Sequence, residues 1–305
     1  MAKKVLVMSG GFSSEREVSL VTGAGVAAAL REAGYEVVAY DLRDFREFVD
    51  VLEKEKPDVV FNALHGNYGE DGTIQGFLDL MQIPYTHSGL SASAAGMRKD
   101  ITREVAKSIG IKIAPAQIMS YRAFKAAAET LARPFVVKPV SDGSSVGVFI
   151  VTDAADLKNV VYHDDDILLL AEKYIPGREL TVMVLEDKAY TVTELRPKAG
   201  FYDYKAKYTD GMTEHLLPAP VSDETAEICK DYAVKIHRAL GCNTVSRSDF
   251  RYNPEDGVVL LEINTNPGLT PLSLVPEQAK YAGISYKELC VKLVEGAKCR
   301  LIPSL

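Results

Sequence analysis

Three groups of polar residues in this chain have the types and spacing that phosphate or carboxylate chemistry requires. Lys138 ends the run Phe135-Val136-Val137-Lys138 and is followed by Ser141-Asp142-Gly143-Ser144-Ser145-Val146-Gly147. An ammonium at the base of a loop of backbone N–H groups can hold the oxygens of a di- or triphosphate through charge and nest-like donors together. The alternative is a solvated lysine beside an ordinary β-turn. GxxxxGK[ST] is absent, so any nucleotide must be held another way than by a Walker A loop. The second group is Asp249, Glu262 and Asn264. Strand alternation puts Glu262 and Asn264 on one face, and a hairpin turning at 253–257 sets Asp249 across from them. Three such oxygens suit Mg²⁺. An edge hairpin with solvent-facing acids is the other reading. Glu262 among Leu260, Leu261 and Ile263 speaks against it, because an unpaired carboxylate there is costly. Third, Arg247 shares the face of Asp249. It either stabilises negative charge on a transferring phosphoryl group or oxyanion, or forms a structural ion pair.

The elements that must position these groups follow from apolar periodicity. Val5–Met8, Tyr35–Tyr40 and Asp58–Leu64 read as strands, with a helical pattern from Ala24 to Leu30, which predicts a parallel α/β region. Gly10-Gly11 ends the first strand, and Ser13-Ser14 are N-cap candidates for the helix that follows. His65-Gly66 follows the third strand, so two strand ends point polar groups at one crevice. Further on, helices are expected over Asp100–Ile109 and Ala123–Ala132, and strands over Phe135–Lys138, Val148–Val151 and Ile167–Ala171. A hinge is expected at Glu172–Gly177. Strands at Glu179–Leu185 and Tyr190–Leu195, a helix at Asp223–Leu240 and a strand pair near 244–252 and 258–263 complete the reading. The long stretch from Pro197 to Pro218, with Phe201, Tyr202, Tyr204 and Tyr208 and three lysines, has the character of a lid.

With 305 residues the chain exceeds the size of one ordinary core, and cuts near 97 and 178 give three domains: 1–97, 98–178 and 179–305. The charge of -7 offers no overall basic field for a nucleic-acid backbone. No apolar run is long enough to span a bilayer, and the N-terminus does not read as a signal peptide, so the expectation is a cytoplasmic protein that binds neither nucleic acid nor membrane. Cys229, Cys242, Cys290 and Cys299 form no CxxC pair and are expected to be reduced.

Taken together the motifs resemble the D-alanine:D-alanine ligases of the ATP-grasp superfamily over essentially the whole chain. The resemblance is carried by Gly10-Gly11-Phe12-Ser13-Ser14-Glu15-Arg16-Glu17-Val18-Ser19, the H-G-x-x-G-E-D-G segment from His65 to Gly72, Lys138 to Gly147, Phe201 to Tyr208, and E-x-N-x-x-P-G from Glu262 to Gly268. It implies an α/β (α+β) architecture of three domains: an N-terminal parallel domain that binds the first D-alanine, then two domains with antiparallel sheets that grip ATP. It further implies ligation of two D-alanines through a D-alanyl phosphate for peptidoglycan precursor synthesis. The alternatives are a D-alanine:D-lactate or mixed D-amino-acid ligase, or a catalytically silent ATP- or amino-acid-binding module.

The resemblance also distributes roles. Lys99 and Lys138 would contact ATP phosphates, with Ser144 and Ser145 in the loop above them. Adenine would lie near Glu172, Lys173, Tyr174 and Ile175, and Glu179 would accept from the ribose. Asp249, Glu262 and Asn264 would hold two Mg²⁺ ions, for which Mn²⁺ is an alternative. Glu15 would pair with the ammonium of the first D-alanine and His65 would lie near its carboxylate. Ser144 and Tyr208 would complete a hydrogen-bonded triad with Glu15, and Lys207 would reach the γ-phosphate. Arg247 would stabilise the tetrahedral intermediate, and Gly268 and Ser273 would bind the second carboxylate. Tyr208 favours an amine over lactate as acceptor, and a homodimer is the usual assembly. On position alone, Glu15 is a first-turn acid complementing a helix dipole and His65 a loop histidine. Ser248 and Arg251 stand where aliphatic residues are usual.

Overall fold

The computed structural model describes residues 2–141, 143, 147–198 and 212–300. The chain opens with β1 (Lys4–Gly10), α1 (Arg16–Glu32), β2 (Glu36–Leu42), α2 (Phe45–Glu55), β3 (Val59–Asn62) and α3 (Thr73–Leu80). β1 is the middle of a parallel sheet ordered β2-β1-β3. A parallel strand covered on both faces must be apolar at every position, which explains the unbroken Val5-Leu6-Val7-Met8. Val5 and Val7 pack with Val26 and Leu30 of α1 on one side. Leu6 and Met8 pack with Phe48, Leu52, Ile74 and Leu78 of α2 and α3 on the other.

Two short helices, α4 (Leu90–Met97) and α5 (Lys99–Ser108), lead into β4 (Ala116–Ser120), α6 (Tyr121–Ala127), β5 (Phe135–Pro139), β6 (Phe149–Val151) and β7 (Leu168–Lys173). These four strands form an antiparallel sheet, β4-β7-β5-β6, over a core that includes Tyr121, Phe124, Phe135, Val137 and Leu169. The helix expected over Ala123–Ala132 starts earlier and ends sooner. Ser120 accepts from the Ala123 N–H and so fixes the start, and a 3₁₀ turn at Ala128–Thr130 closes the helix ahead of Pro134.

The central sheet, ordered β11-β10-β8-β12-β13, is built from β8 (Arg178–Leu185), β9 (Lys188–Ala189), β10 (Thr193–Pro197), β11 (Thr213–Leu216), β12 (Val245–Asn253) and β13 (Gly257–Asn264). Its apolar face is covered by α7 (Asp223–Ala239) and by Ala106 of α5. The strand expected over Tyr190–Leu195 starts only at Thr193, as β10, with the separate short β9 ahead of it; β9 and β10 pair with β8 in registers one residue apart. The gap between them is filled by a side chain: buried Gln278 accepts from the Met183 N–H and donates to the Thr181 carbonyl, the two β8 groups a continuous strand would have used. Gln278 belongs to α8 (Leu274–Tyr281). The last helix, α9 (Tyr286–Glu295), returns to α1, and Leu289, Leu293 and Val294 share one cluster with Val26 and Leu30.

Two of the buried histidines, His87 and His237, lie in this framework. Burial, with His65 nearby, lowers the His87 imidazole to about 3, and burial lowers His237 to about 4 against the pull of Asp187. Both stay neutral in the fold and take up protons on unfolding near the ordinary value of about 6.5, so stability falls as pH drops from there toward 4. His87 has φ 70°, a conformation Asn tolerates. His87→Asn is therefore expected to flatten this fall by about one proton in the slope of unfolding free energy against pH, read from urea unfolding between about pH 7 and 5.

Candidate active site

One wall of the site comes from the strand ends of the parallel sheet. Gly10 has φ 85°, and a Cβ there would lie 2.1 Å from Asp41 Oδ1, which together with Oδ2 binds Arg16 Nη2 at 2.7 Å. This turn delivers Glu15 to the start of α1. The expected serine N-cap is corrected: Glu15 occupies the N-cap position, while Ser13 Oγ accepts from the Glu15 N–H and donates to the His65 carbonyl. Ser13 thus ties two strand ends together instead of capping the helix. His65 is buried, with Nε2 3.1 Å from Thr22 Oγ1 and Nδ1 3.3 Å from Glu70 Oε1. Burial pushes the Glu70 carboxyl above its ordinary value, against the pull of His65 and with a further push from Glu15.

The facing wall is the β12–β13 hairpin, as the sequence predicts. Asp249 lies opposite Glu262 and Arg247 opposite Asn264, with a register shift immediately after Asp249. Arg247 is also an ion-pair partner: its Nε is 3.0 Å from Asp249 Oδ1 and its Nη2 2.8 Å from Oδ2. Thr181 Oγ1 donates to Asp249 Oδ1 at 2.6 Å from β8. Lys99, at the start of α5, brings its ammonium 3.5 Å from Glu262 Oε2, and its backbone N–H bonds the Val140 carbonyl at the foot of the glycine-serine loop. Among the described residues no group of three His, Cys, Asp or Glu side chains forms a metal cluster. Here the third oxygen is the amide of Asn264, whose Oδ1 also accepts from the Asn266 N–H.

The two walls meet. Asn266 Nδ2 donates to the Leu64 carbonyl, and a Cβ at Gly268 would lie 3.0 Å from Ser273 Oγ and 3.8 Å from His65 Cε1. Glu15, His65, Glu70, Lys99, Arg247, Glu262, Asn264, Gly268 and Ser273 therefore line one cleft, although they span residues 15 to 273 of the chain.

Lys138 is not a solvated lysine. It is 7% exposed, with Nζ 2.6 Å from Glu172 Oε1. Arg103 holds the other carboxylate oxygen, with Nη1 2.9 Å from Oε2, and donates through Nη2 to the Ala114 carbonyl. Lys173 pairs with Asp256, Tyr174 lies beneath the Arg251 guanidinium, Ile175 is buried, and Glu179 meets Arg251 at 3.3 Å. Ser144, Ser145, Lys207 and Tyr208 lie outside the described residues. Sequence reasoning assigns no role to Glu70, Thr22, Thr181 or Arg103. The signal for Thr181 is a polar residue inside the apolar run Leu180-Thr181-Val182, and Glu70 is the acid of the H-G-x-x-G-E-D-G segment; Thr22 and Arg103 leave no local trace.

The family model described as D-ala D-ala ligase C-terminus matches residues 105–295, and its N-terminal counterpart matches 44–88. The chain belongs to the D-alanine–D-alanine ligase family. Similar proteins include the D-alanine–D-alanine ligases of Erythrobacter litoralis, 50% identical over 96% of this chain and 93% of that one, and of Zymomonas mobilis, 51% identical over 97% and 94%. Among solved structures, the D-alanine–D-alanine ligase of Bacillus anthracis complexed with ATP aligns with TM-score 0.83 at 32% identity, covering 97% of each chain. The VanG D-Ala:D-Ser ligase of Enterococcus faecalis aligns with TM-score 0.81 at 28% identity, covering 97% of this chain and 99% of that one. The α/β architecture with parallel and antiparallel sheets is that of an ATP-grasp ligase. The enzyme joins two D-alanines in an ATP-dependent reaction.

Without Arg103, Glu172 keeps Lys138 but loses the charge-assisted bond at Oε2, and the Ala114 carbonyl loses its donor. Arg103→Leu is therefore expected to lower the unfolding free energy by about 3 kcal/mol. Adding Glu172→Gln should deepen that loss, because the buried Lys138 ammonium then loses its carboxylate, as measured by urea unfolding of both variants.

Proposed function

We propose that the cleft carries out both steps of ligation, with the first D-alanine between Glu15 and His65 and the second at Gly268 and Ser273. The observation that carries this reading is the approach of Gly268 to His65, which sets the two subsites side by side within reach of Arg247 and Glu262. The carboxylate oxygen of the first D-alanine attacks the γ-phosphorus and ADP leaves, which converts an oxide leaving group into phosphate. The amine of the second D-alanine, having lost its ammonium proton, attacks the carbonyl carbon and phosphate departs. Arg247 stabilises the negative charge that develops on the tetrahedral carbon. Glu15 accepts the first ammonium and fixes that substrate's orientation.

Lys99 and Lys138 bind the phosphates, with Ser144, Ser145 and Lys207 completing the phosphate contacts and Tyr208 and Ser144 pinning the lid to Glu15. Adenine lies against Glu172 to Ile175 and the ribose on Glu179. The hard oxygen donors of Asp249, Glu262 and Asn264 fit Mg²⁺, two ions of which would neutralise phosphate charge when bound. Domains of 1–97, 98–178 and 179–305, a homodimer and a cytoplasmic setting supplying peptidoglycan precursor complete the proposal. Among the described residues no helix is long and apolar enough to cross a membrane.

D-Alanine-dependent formation of ADP and phosphate tests the reading directly, and its absence would falsify it. Lys138→Ala is expected to raise the KM for ATP at least tenfold, and Glu15→Gln to raise chiefly the KM for the first D-alanine, in each case about 1.4 kcal/mol or more of lost binding. The reverse pattern in steady-state kinetics means that the two subsites are exchanged. In acceptor competition near neutral pH, D-alanine is expected to outcompete D-lactate, and product analysis with D-serine in the same assay separates a mixed ligase.

A further inference from the structure

Residues 174–177 carry the chain from β7 of the four-stranded sheet into β8 of the central sheet, and three successive carbonyls of this crossing are held from β12. The Ile175 carbonyl accepts from Arg251 Nε at 3.0 Å, Pro176 from Asn253 Nδ2 at 2.9 Å, and Gly177 from Arg251 Nη2 at 2.9 Å. The third guanidinium nitrogen, Nη1, lies 3.3 Å from Glu179 Oε2, directly across the strand pair. The guanidinium carbon sits 5.8 Å from the centre of the Tyr174 ring. The crossing is seated closely: Gly177 has φ 107°, and a Cβ there would lie 2.3 Å from the Tyr252 carbonyl oxygen.

We propose that Arg251 is a positioning residue for the nucleotide. Its planar fork holds the Glu179 carboxylate and the 175–177 backbone in one arrangement, and so sets the preference for a ribonucleotide over its 2′-deoxy counterpart. The proposal rests on the reading of Glu179 as the ribose acceptor. A carboxylate that receives two vicinal hydroxyls works in one orientation, and an ion pair beside it both selects that orientation and compensates its charge. Arg suits the place because its donors are rigidly arranged to meet a carboxylate and two carbonyls at once. A lysine is a single point charge, and an aliphatic side chain would leave all three acceptors without these bonds.

The test compares kcat/KM for ATP and 2′-deoxy-ATP in the wild-type enzyme and in Arg251→Met, Arg251→Lys and Glu179→Gln, with D-alanine saturating. The wild-type ratio is expected well above one. Arg251→Met should lower it about tenfold through the KM for ATP while the KM for D-alanine stays within about twofold, Arg251→Lys should fall between, and Glu179→Gln should bring the ratio near one. A role confined to stability would lower thermal stability and activity with both nucleotides alike. An unchanged ratio in Arg251→Met, against a wild-type ratio well above one, overturns the proposal and leaves the ribose reading standing. A wild-type ratio near one overturns both. Should Arg251→Met fail to fold, Arg251→Lys carries the same comparison, and a ratio equal to wild type overturns the proposal.

Discussion

The register between β12 and β13 is the constraint on which the rest of the site depends. Asp249 stands opposite Glu262 and Arg247 opposite Asn264, so two acids, an amide and a guanidinium are gathered on two neighbouring strands, and Arg247, Glu262 and Asn264 line the cleft. Side chains alternate with period two, and a slip of one residue would turn Arg247 and Asp249 toward the apolar core under α7 and bring Ser248 to the cleft. The register is held from both sides. β8 pairs along almost the whole of β12, Thr181 fastens Asp249 from that side, and Gln278 fills the gap between β9 and β10 beside Thr181. α8, which follows the loop at Gly268, thereby braces β8, the strand that pairs with β12 and fastens Asp249.

A second regularity is charge compensation in layers. Four acids near the site have a cation beside them: Glu172 has Arg103 and Lys138, Glu262 has Lys99 and Glu179 has Arg251, each from another element, and Asp249 has Arg247 from its own strand. The chain is acidic overall at -7, yet the cleft gathers its positive groups on elements that start or end at its rim. Net charge sums over the surface; recognition depends on which few charges share a desolvated space.

Much of this was legible in the residues. The unbroken β1 run, the hairpin turn at 253–257 and the alternation of Glu262 and Asn264 each follow from short-range periodicity, and the structure agrees with all three. Lys138 was visible as a strand-end ammonium, but its alternative as a solvated side chain could be rejected only by seeing Glu172 beside it. Arg103, Thr22 and Gln278 were invisible because their roles are made by contacts with residues distant in the chain, and no local pattern encodes a long-range partner. α2, α3, α4, α8, α9, β4, β9 and β11 have no counterpart among the sequence expectations, and Ser13 reads as a cap because its partner, the His65 carbonyl, lies fifty-two residues away.

The return of α9 to α1 has a consequence for the order in which the molecule can be assembled. The apolar side of the first sheet shares one cluster with Leu269, Val275, Leu289 and Leu293, so the opening third of the chain keeps exposed hydrophobic surface until these distant residues fold against it. The same late segment brings Gly268 beside His65 and Asn266 onto Leu64. The His65 side of the cleft and its Gly268–Ser273 side consequently form in a single event, and a partly folded polypeptide presents no half-built cleft.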